Sequence, residues 1–203
     1  GNAAATQRQL DAVATALEAI WVHLSNGGAG GREVWLLVEW LAELLVRAPM
    51  EPTSGIWELR EPQLLVTEEL ARWIGLDHAI KAQRLLRPWS RRPSWHTMRA
   101  VARRRVEGAF DDTTGLLPQA FGDGTTPDAA LLLAATNGFF RRGDPRLPRL
   151  VRGLIAALDE GPFLRRYPPF SDGLDGREGS FLPASWWAVS ALCAIGDLDA
   201  ADR

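Results

Sequence analysis

Residues Gly55-Ile56-Trp57-Glu58-Leu59-Arg60 set a carboxylate beside a large flat ring in a polar loop between two apolar runs. Glu58 can carry a proton, Trp57 offers an apolar face with one N–H donor, and Arg60 adds a planar fork of donors two residues on. Together they can grip a polyhydroxylated ligand and hand it a proton. The same residues also suit a plainer role, in which the Glu favours the start of the next helix and Trp57 fills a core. A second loop bears on the choice. The run Asp172-Gly173-Leu174-Asp175-Gly176-Arg177-Glu178-Gly179-Ser180-Phe181 sets Glu178 just ahead of an apolar helical pattern, as Glu58 is ahead of another. Two carboxyl groups across one cleft are the minimal equipment for glycoside hydrolysis. One protonates the leaving oxygen, and the other activates water or attacks directly.

The elements that must position these carboxyls read as helices throughout. Apolar residues recur at three and four over 6–24, and the glycine-rich run 27–31 ends that pattern. A second apolar-rich helix covers Glu33–Val46 and stops at Pro49 and Pro52, and a third runs from Leu65 and fades near Pro88. A fourth, Ser94–Glu107, shows a narrow apolar stripe among arginines. Thr126-Pro127-Asp128 starts a fifth through Ala135, with a capping hydroxyl, a proline at the first position and an acid in the first turn. Asp144-Pro145 starts a one-sided sixth, and Ser185–Ile195 forms a seventh that is apolar all round. No strand pattern of convincing length appears, so the class is all-α.

From the third helix on, apolar-rich segments alternate with amphipathic ones: three, five and seven inner, four and six outer. Such alternation in antiparallel hairpins describes two concentric layers, an α/α barrel or toroid. Extending it makes helix one inner, which its alanines permit without requiring. In this array every outer-to-inner connection lies on one rim. Those loops, 49–63, 108–126 and 159–182, are long and polar, against about 2–8 residues for ordinary helix connections. Glu58 and Glu178 share that rim.

Composition narrows the alternatives. The 203 residues, 46% apolar, suffice for one substantial domain, read as 1–203. A net charge of -2 argues against general attraction to nucleic acid or anionic membrane, and the arginines of 84–105 are read as a solvated outer face. The single cysteine, Cys193, excludes an intrachain disulfide and a cysteine metal cluster, and points to a reducing, cytoplasmic compartment. Its apolar surroundings in sequence predict a packed thiol. His23, His78 and His96 lack metal-ligand spacing and are read as ordinary helix residues. No run is long enough to span a membrane, and no signal peptide is legible.

The ordered set of short motifs resembles glycoside hydrolase family 15, the glucoamylases and their trehalase-like bacterial relatives. It comprises Gly1-Asn2-Ala3-Ala4 with Gln9-Leu10-Asp11, then Gly55 to Arg60, then Gln119-Ala120-Phe121-Gly122 and Asp128-Ala129-Ala130-Leu131-Leu132-Leu133. Asp144-Pro145-Arg146, Arg166-Tyr167, Asp172-Gly173-Leu174 and Glu178-Gly179-Ser180-Phe181 complete it. The resemblance implies a six-hairpin α/α barrel, incomplete in this chain, that hydrolyses α-glucosidic bonds with inversion and needs no metal or cofactor. It makes Glu58 the general acid and Glu178 the general base, with Trp57, Arg60 and Tyr167 as contacts to a small carbohydrate substrate. For an inverting enzyme the two carboxyl groups should stand roughly 6.5–9.5 Å apart.

Two departures stand against it. Family members follow the acid motif with a His and a Ser-Lys pair, where this chain has Leu64-Leu65-Val66-Thr67-Glu68-Glu69. Glu69 in place of lysine is expected to reverse a charge near the acid. The family's upstream Arg-Asp motif and closing helices are also absent, so the chain reads as a piece of a longer protein. It is expected to self-associate or to be completed by further segments. A helical carbohydrate-binding or interaction module without turnover is the competing reading.

Overall fold

The computed structural model describes residues 7–124, 126–169 and 179–202. Helices dominate, as the periodicities predict: α1 Leu10–Ser25, α2 Arg32–Arg47, α3 Val66–Leu86, α4 Pro93–Gly108, α6 Arg146–Leu158 and α7 Leu182–Ile195. The expected fifth helix is shorter and of mixed type. A 3-10 turn, Ala129–Leu132, runs into a single α-helical turn, α5 Leu133–Thr136. Asp128 stands outside it as the cap and accepts a hydrogen bond from Ala130 N–H, so the helix starts two residues later than the Thr126-Pro127 signal suggests. A two-residue hairpin, β1 Asp159–Glu160 with β2 Phe163–Leu164, follows α6, and a short α8, Leu198–Ala201, follows α7. Among the described residues no helix is long and apolar enough to cross a membrane.

The helices pack as the alternation requires. Along the inner layer α1 lies against α3, the 3-10 turn reaches α3 on one side and α7 on the other, and α5 packs on α7. Outside them α2 touches α4 and α3, while α6 backs α7 and the 3-10 turn. Helix one is therefore inner, and the described helices form an arc of a two-layered α/α barrel. Its centre is α3, whose first eleven residues are all buried. Helices α1 and α3 approach closely where Gly75 faces Ala14: a Cβ at 75 would lie 3.1 Å from the Ala14 Cα and 2.5 Å from Leu45 Cδ1. A side chain there would push the Leu45 methyl aside and press on the α1 backbone.

Some apolar residues are not enclosed. On α2 the apolar run is broader than the buried face, leaving Leu36, Leu37, Trp40 and Leu44 exposed. On α7 the buried stripe is Ala184, Ala188, Ala191 and Leu192, while Leu182 and Trp186 face outward. Cys193 is exposed as well, which corrects the packed thiol expected from its neighbours in sequence. An apolar helix has buried residues only on the sides that other helices cover, and α7 is covered on one. His78, by contrast, is buried in α3, and burial pushes its imidazole down to about 4. Three of the arginines near α4 are held in ion pairs: Arg92 with Glu39, Arg99 with Asp77 and Arg103 with Glu107.

A buried charge network joins both layers. Arg72 in α3 is 1% exposed; its Nε donates to Glu69 Oε1 at 2.9 Å, and its Nη1 donates to the carbonyls of Leu45 and Ala48, the latter at 3.0 Å. Those carbonyls belong to the otherwise unsatisfied C-terminal end of α2. Glu69 also accepts from Arg105 Nη1 of α4 at 3.0 Å. One guanidinium thus caps α2 and neutralises a carboxylate shared with α4. Arg72→Ala is expected to cost on the order of 3–5 kcal/mol, because it takes one of two arginines from a buried carboxylate and the guanidinium donor from the α2 carbonyls together. Denaturant unfolding measures this, and the double variant Arg72→Met with Glu69→Met should recover part of the loss. A single variant within 1 kcal/mol of the parent would show the network to be dispensable.

Candidate active site

The acid loop is closed at its base by Thr53 and Gln63, which exchange backbone hydrogen bonds of 2.9 Å in both directions. Inside it the chain turns back on itself: Glu58 N–H donates to Gly55 O at 3.1 Å, and Leu59 N–H to Ser54 O at 2.8 Å. The turn is left-handed at both corners, with φ +60° at Gly55 and +54° at Glu58. Among the described residues Glu58 alone among non-glycines has a positive φ, a conformation that costs an L-residue roughly 1–2 kcal/mol. Strain of this kind persists only where surrounding contacts enforce it. Here Leu59 is buried against Leu65, Ala120 and Tyr167, with Trp57 packed on the same group. With both neighbours anchored, Glu58 is exposed at the crest of the turn.

Trp57 is held by a single polar bond and a set of rings. Its Nε1–H donates to Asp128 Oδ1 at 2.8 Å. The Phe181, Trp187 and Tyr167 rings surround it at centroid distances of 5.5, 5.9 and 6.2 Å, and the Arg166 guanidinium lies 5.9 Å from its centre. Asp128 is 1% exposed and receives two further donors, Ala130 N–H at 2.8 Å and Gln119 Nε2 at 3.1 Å. Burial pushes its carboxyl up to about 6, against the pull of the Trp57, Ala130 and Gln119 donors. The segment beside Gln119 is tied to the acid loop directly: Leu65 pairs with Ala120, and Val66 N–H donates to Gln119 O at 2.8 Å. Entry to α7 joins the same group through Phe181 N–H, which donates to Leu164 O at 2.7 Å. The loops ahead of α3, α5 and α7 therefore meet on one rim.

Beside this rim lies a cleft of about 200 Å³ between α1, α3, α5 and α7. Leu70, Ala71 and Ile74 of α3 and Ala130 and Leu133 give it an apolar wall, Trp187 a flat face, and Ile56 a contact with the acid loop. Among the described residues its polar lining is Asp11, Thr15, Glu18, Thr67, Glu68 and Asn137, with three carboxyl groups and no basic side chain. Burial raises all three carboxyls. Glu68 goes up to about 7, by burial first and by the charge of Asp11 second. Asp11 is raised by burial and, more weakly, by the charge of Glu58, and Glu18 is raised by burial against Lys81. The exposed acid turn and the acidic cleft thus share one electrostatic field.

The structure brings together Trp57, Glu58 and Tyr167 of the predicted site residues. Tyr167 is buried behind Trp57. Arg60 is exposed two residues beyond Glu58, and the residues that line the cleft include Ile56 but none of Trp57, Glu58, Arg60 and Tyr167. Glu178, with Asp172-Gly173-Leu174, lies outside the described residues. Glu69 does not face the acid; it is turned into the Arg72 and Arg105 network, 2% exposed, while its neighbour Glu68 faces the cleft. Sequence reading missed two residues. Asp128 looked like a helix-start acid, and nothing local connects it to a tryptophan 71 positions away. Glu68 stood in a segment marked only as a departure from the family pattern.

The family model described as "Glycosyl hydrolases family 15" matches residues 1–196. A trehalase of Mycolicibacterium smegmatis is 33% identical over 99% of this chain, and a trehalase of Mycobacterium tuberculosis is 31% identical over all of it. The chain spans 30% of the length of each of these curated relatives. A glycosidase variant solved in complex with glucose superposes with a TM-score of 0.81 at 21% identity, over 97% of this chain and 52% of its own. At that identity the likeness shows a shared fold.

Two outcomes are expected. Asn tolerates the left-handed region better than Glu, so Glu58→Asn should unfold at the same temperature or above it, by up to about 1 kcal/mol. Thermal melting checks this, and a clear loss of stability would mean that Glu58 supports the fold. The second concerns pH. A carboxyl raised from 4.5 to about 7 stays protonated in the folded state while the unfolded chain ionises. The folded form then holds more protons, and its advantage, complete below pH 4.5, is lost as pH rises through 7. Relative to Glu68→Gln, the parent should lose about 3 kcal/mol between pH 4.5 and 8. Parallel stability–pH curves for the two proteins would refute it.

Proposed function

The chain belongs to glycosyl hydrolase family 15, and on that premise we propose that the protein hydrolyses an α-glucosidic bond with inversion, with α,α-trehalose as the first substrate to try. Glu58 is the general acid and Glu178 the general base. Glu58 protonates the glycosidic oxygen as the bond to the anomeric carbon breaks. Glu178 takes a proton from water attacking the opposite face, and that water needs the wider carboxylate spacing of roughly 6.5–9.5 Å. From α,α-trehalose this releases one β-glucose and one α-glucose. Trp57, Arg60 and Tyr167 serve as contacts to the sugar, and residues 1–203 act as part of one α/α-barrel domain, with a cytoplasmic location in keeping with the single cysteine.

The observation that carries this reading is the exposed, left-handed Glu58 on a turn bolted to Asp128 through Trp57, at the mouth of a carboxyl-lined cleft. A second supports the pairing with Glu178: Phe181, three residues after it, has its ring 5.5 Å from that of Trp57. The trehalase names of the relatives motivate the choice of substrate. The altered segment 64–69 favours the competing module without turnover, and one assay separates the two. Proton NMR of the protein with α,α-trehalose, and separately with maltose, should show β-glucose appearing ahead of mutarotation. Glu58→Gln should cut the rate by about 10²–10⁴-fold. Sugar binding without hydrolysis would establish the module, and α-glucose as the sole first product would make the mechanism retaining.

A further inference from the structure

Outer helix α2 buries one side in the barrel and carries a second apolar stripe on the other. Successive residues turn about 100° around a helix, so Leu36, Leu37, Trp40 and Leu44 fall within an arc of about 100° that also holds Glu33 and Arg47. All six are exposed, and Trp40, at 59%, is the most open of the apolar four. Val38, Ala42 and Leu45 are buried on the opposite side of the helix. Trp40 therefore points away from the inner layer, and helices added beside α2 to extend the ring would not lie over it. Contiguous apolar surface rimmed by charge is the mark of a contact face on a soluble protein. The charges on this one select its occupant. Glu33, Trp40 and Arg47 are spaced by sevens, so an acid, an indole and a base follow one another along one line, each about 10 Å from the next. Arg47 reaches outward, its side chain 80% exposed with a 3.5 Å contact to Glu43. When α2 is laid antiparallel on a copy of itself about a two-fold axis at Trp40, Glu33 meets the partner's Arg47 at both ends and Leu36 meets the partner's Leu44. A parallel pair would set acid on acid and base on base.

We propose that the protein forms a two-fold symmetric dimer in which the outer faces of two α2 helices pack antiparallel, with Trp40 at the axis and a Glu33–Arg47 pair closing each end. A shallow groove of about 330 Å³ beside Trp40, lined by Leu36 and Leu44 together with Glu39 and Glu43, receives the partner's indole. Because the same patch serves on both copies, the assembly stops at two. The paired faces bury roughly 1,000 Å² in total, near the lower limit for a specific interface, so the dissociation constant falls in the micromolar range. This surface is distinct from the open flank of the arc, where Trp186 of α7 is 62% exposed. It is also independent of whether the rim cleaves a sugar.

Sedimentation velocity of the whole 203-residue chain, from about 1 to 200 µM, reads the monomer–dimer equilibrium directly. Trp40→Glu should raise the dissociation constant about a hundredfold or more. Glu33→Arg and Arg47→Glu should each raise it about three- to tenfold, since one substitution breaks both symmetry-related pairs. The double variant Glu33→Arg with Arg47→Glu should return to near the parental affinity. It also opposes the α2 dipole at both ends, so thermal melting should find it the least stable of the charge variants. Association regained while helix stability falls is an outcome that a merely structural role for these charges does not produce. A monomer at every concentration overturns the proposal. A dimer kept in Trp40→Glu but lost in Trp186→Glu also overturns it and moves the contact to the flank of α7. A dimer indifferent to all the charge variants overturns the antiparallel arrangement.

Discussion

The hydrogen bond from Trp57 to Asp128 is the constraint on which the rim depends. Asp128 is a carboxyl with no access to water, so it needs donors from the protein, and it finds one in each of three places: the acid loop, the segment at Gln119 and its own 3-10 turn. Remove the indole donor and a buried acceptor is stranded while the ring loses its fixed tilt among Phe181, Tyr167 and Trp187. The left-handed turn at Glu58 is held by its own backbone hydrogen bonds and by these anchored neighbours. A carboxyl that never meets the ligand cleft thus determines where the exposed one stands.

Two adjacent glutamates show how the helical repeat sorts equal chemistry into unequal roles. Glu68 and Glu69 differ by about 100° around α3. That rotation sends Glu69 outward into the space between layers, where two arginines neutralise it, and Glu68 inward, where among the described residues no basic side chain lines the cleft. The first is an ordinary buried ion pair. The second keeps its proton to about pH 7 because burial and Asp11 both oppose its charge. The charge reversal expected beside the acid at Glu69 is therefore absorbed by the scaffold.

The helices and their layering were legible because burial repeats every three to four residues along α1, α2 and α6, and a face that must be covered shows in composition. The same alternation permits the inner position of α1 without requiring it, and the packing of α1 on α3 supplies the rest. What periodicity could not convey is how completely a face is covered: the uniformly apolar α7 reads as enclosed, yet Trp186 and Cys193 are outward because neighbours line only one side. The fifth helix failed for a different reason. Thr126-Pro127-Asp128 is a sound start signal, but Asp128 is recruited as a cap and as the partner of Trp57, which delays and tightens the first turn. For the site, Trp57 and Glu58 announced themselves by type and loop position. Asp128 and Glu68 did not, since their roles arise from contacts across helices.

The distance along the chain between Trp57 and Asp128 has a consequence for how the protein comes into being. At the usual pace of synthesis, the 71 residues that separate them take about 4–14 s to emerge. During that interval α1, α2 and α3 can dock through local contacts, since each is a sequence neighbour of the next. The acid turn cannot, because its acceptor is still unmade and its indole N–H is bound to water. Long-range closure of this kind is slow, so the rim is assembled last, onto a helical scaffold that already exists.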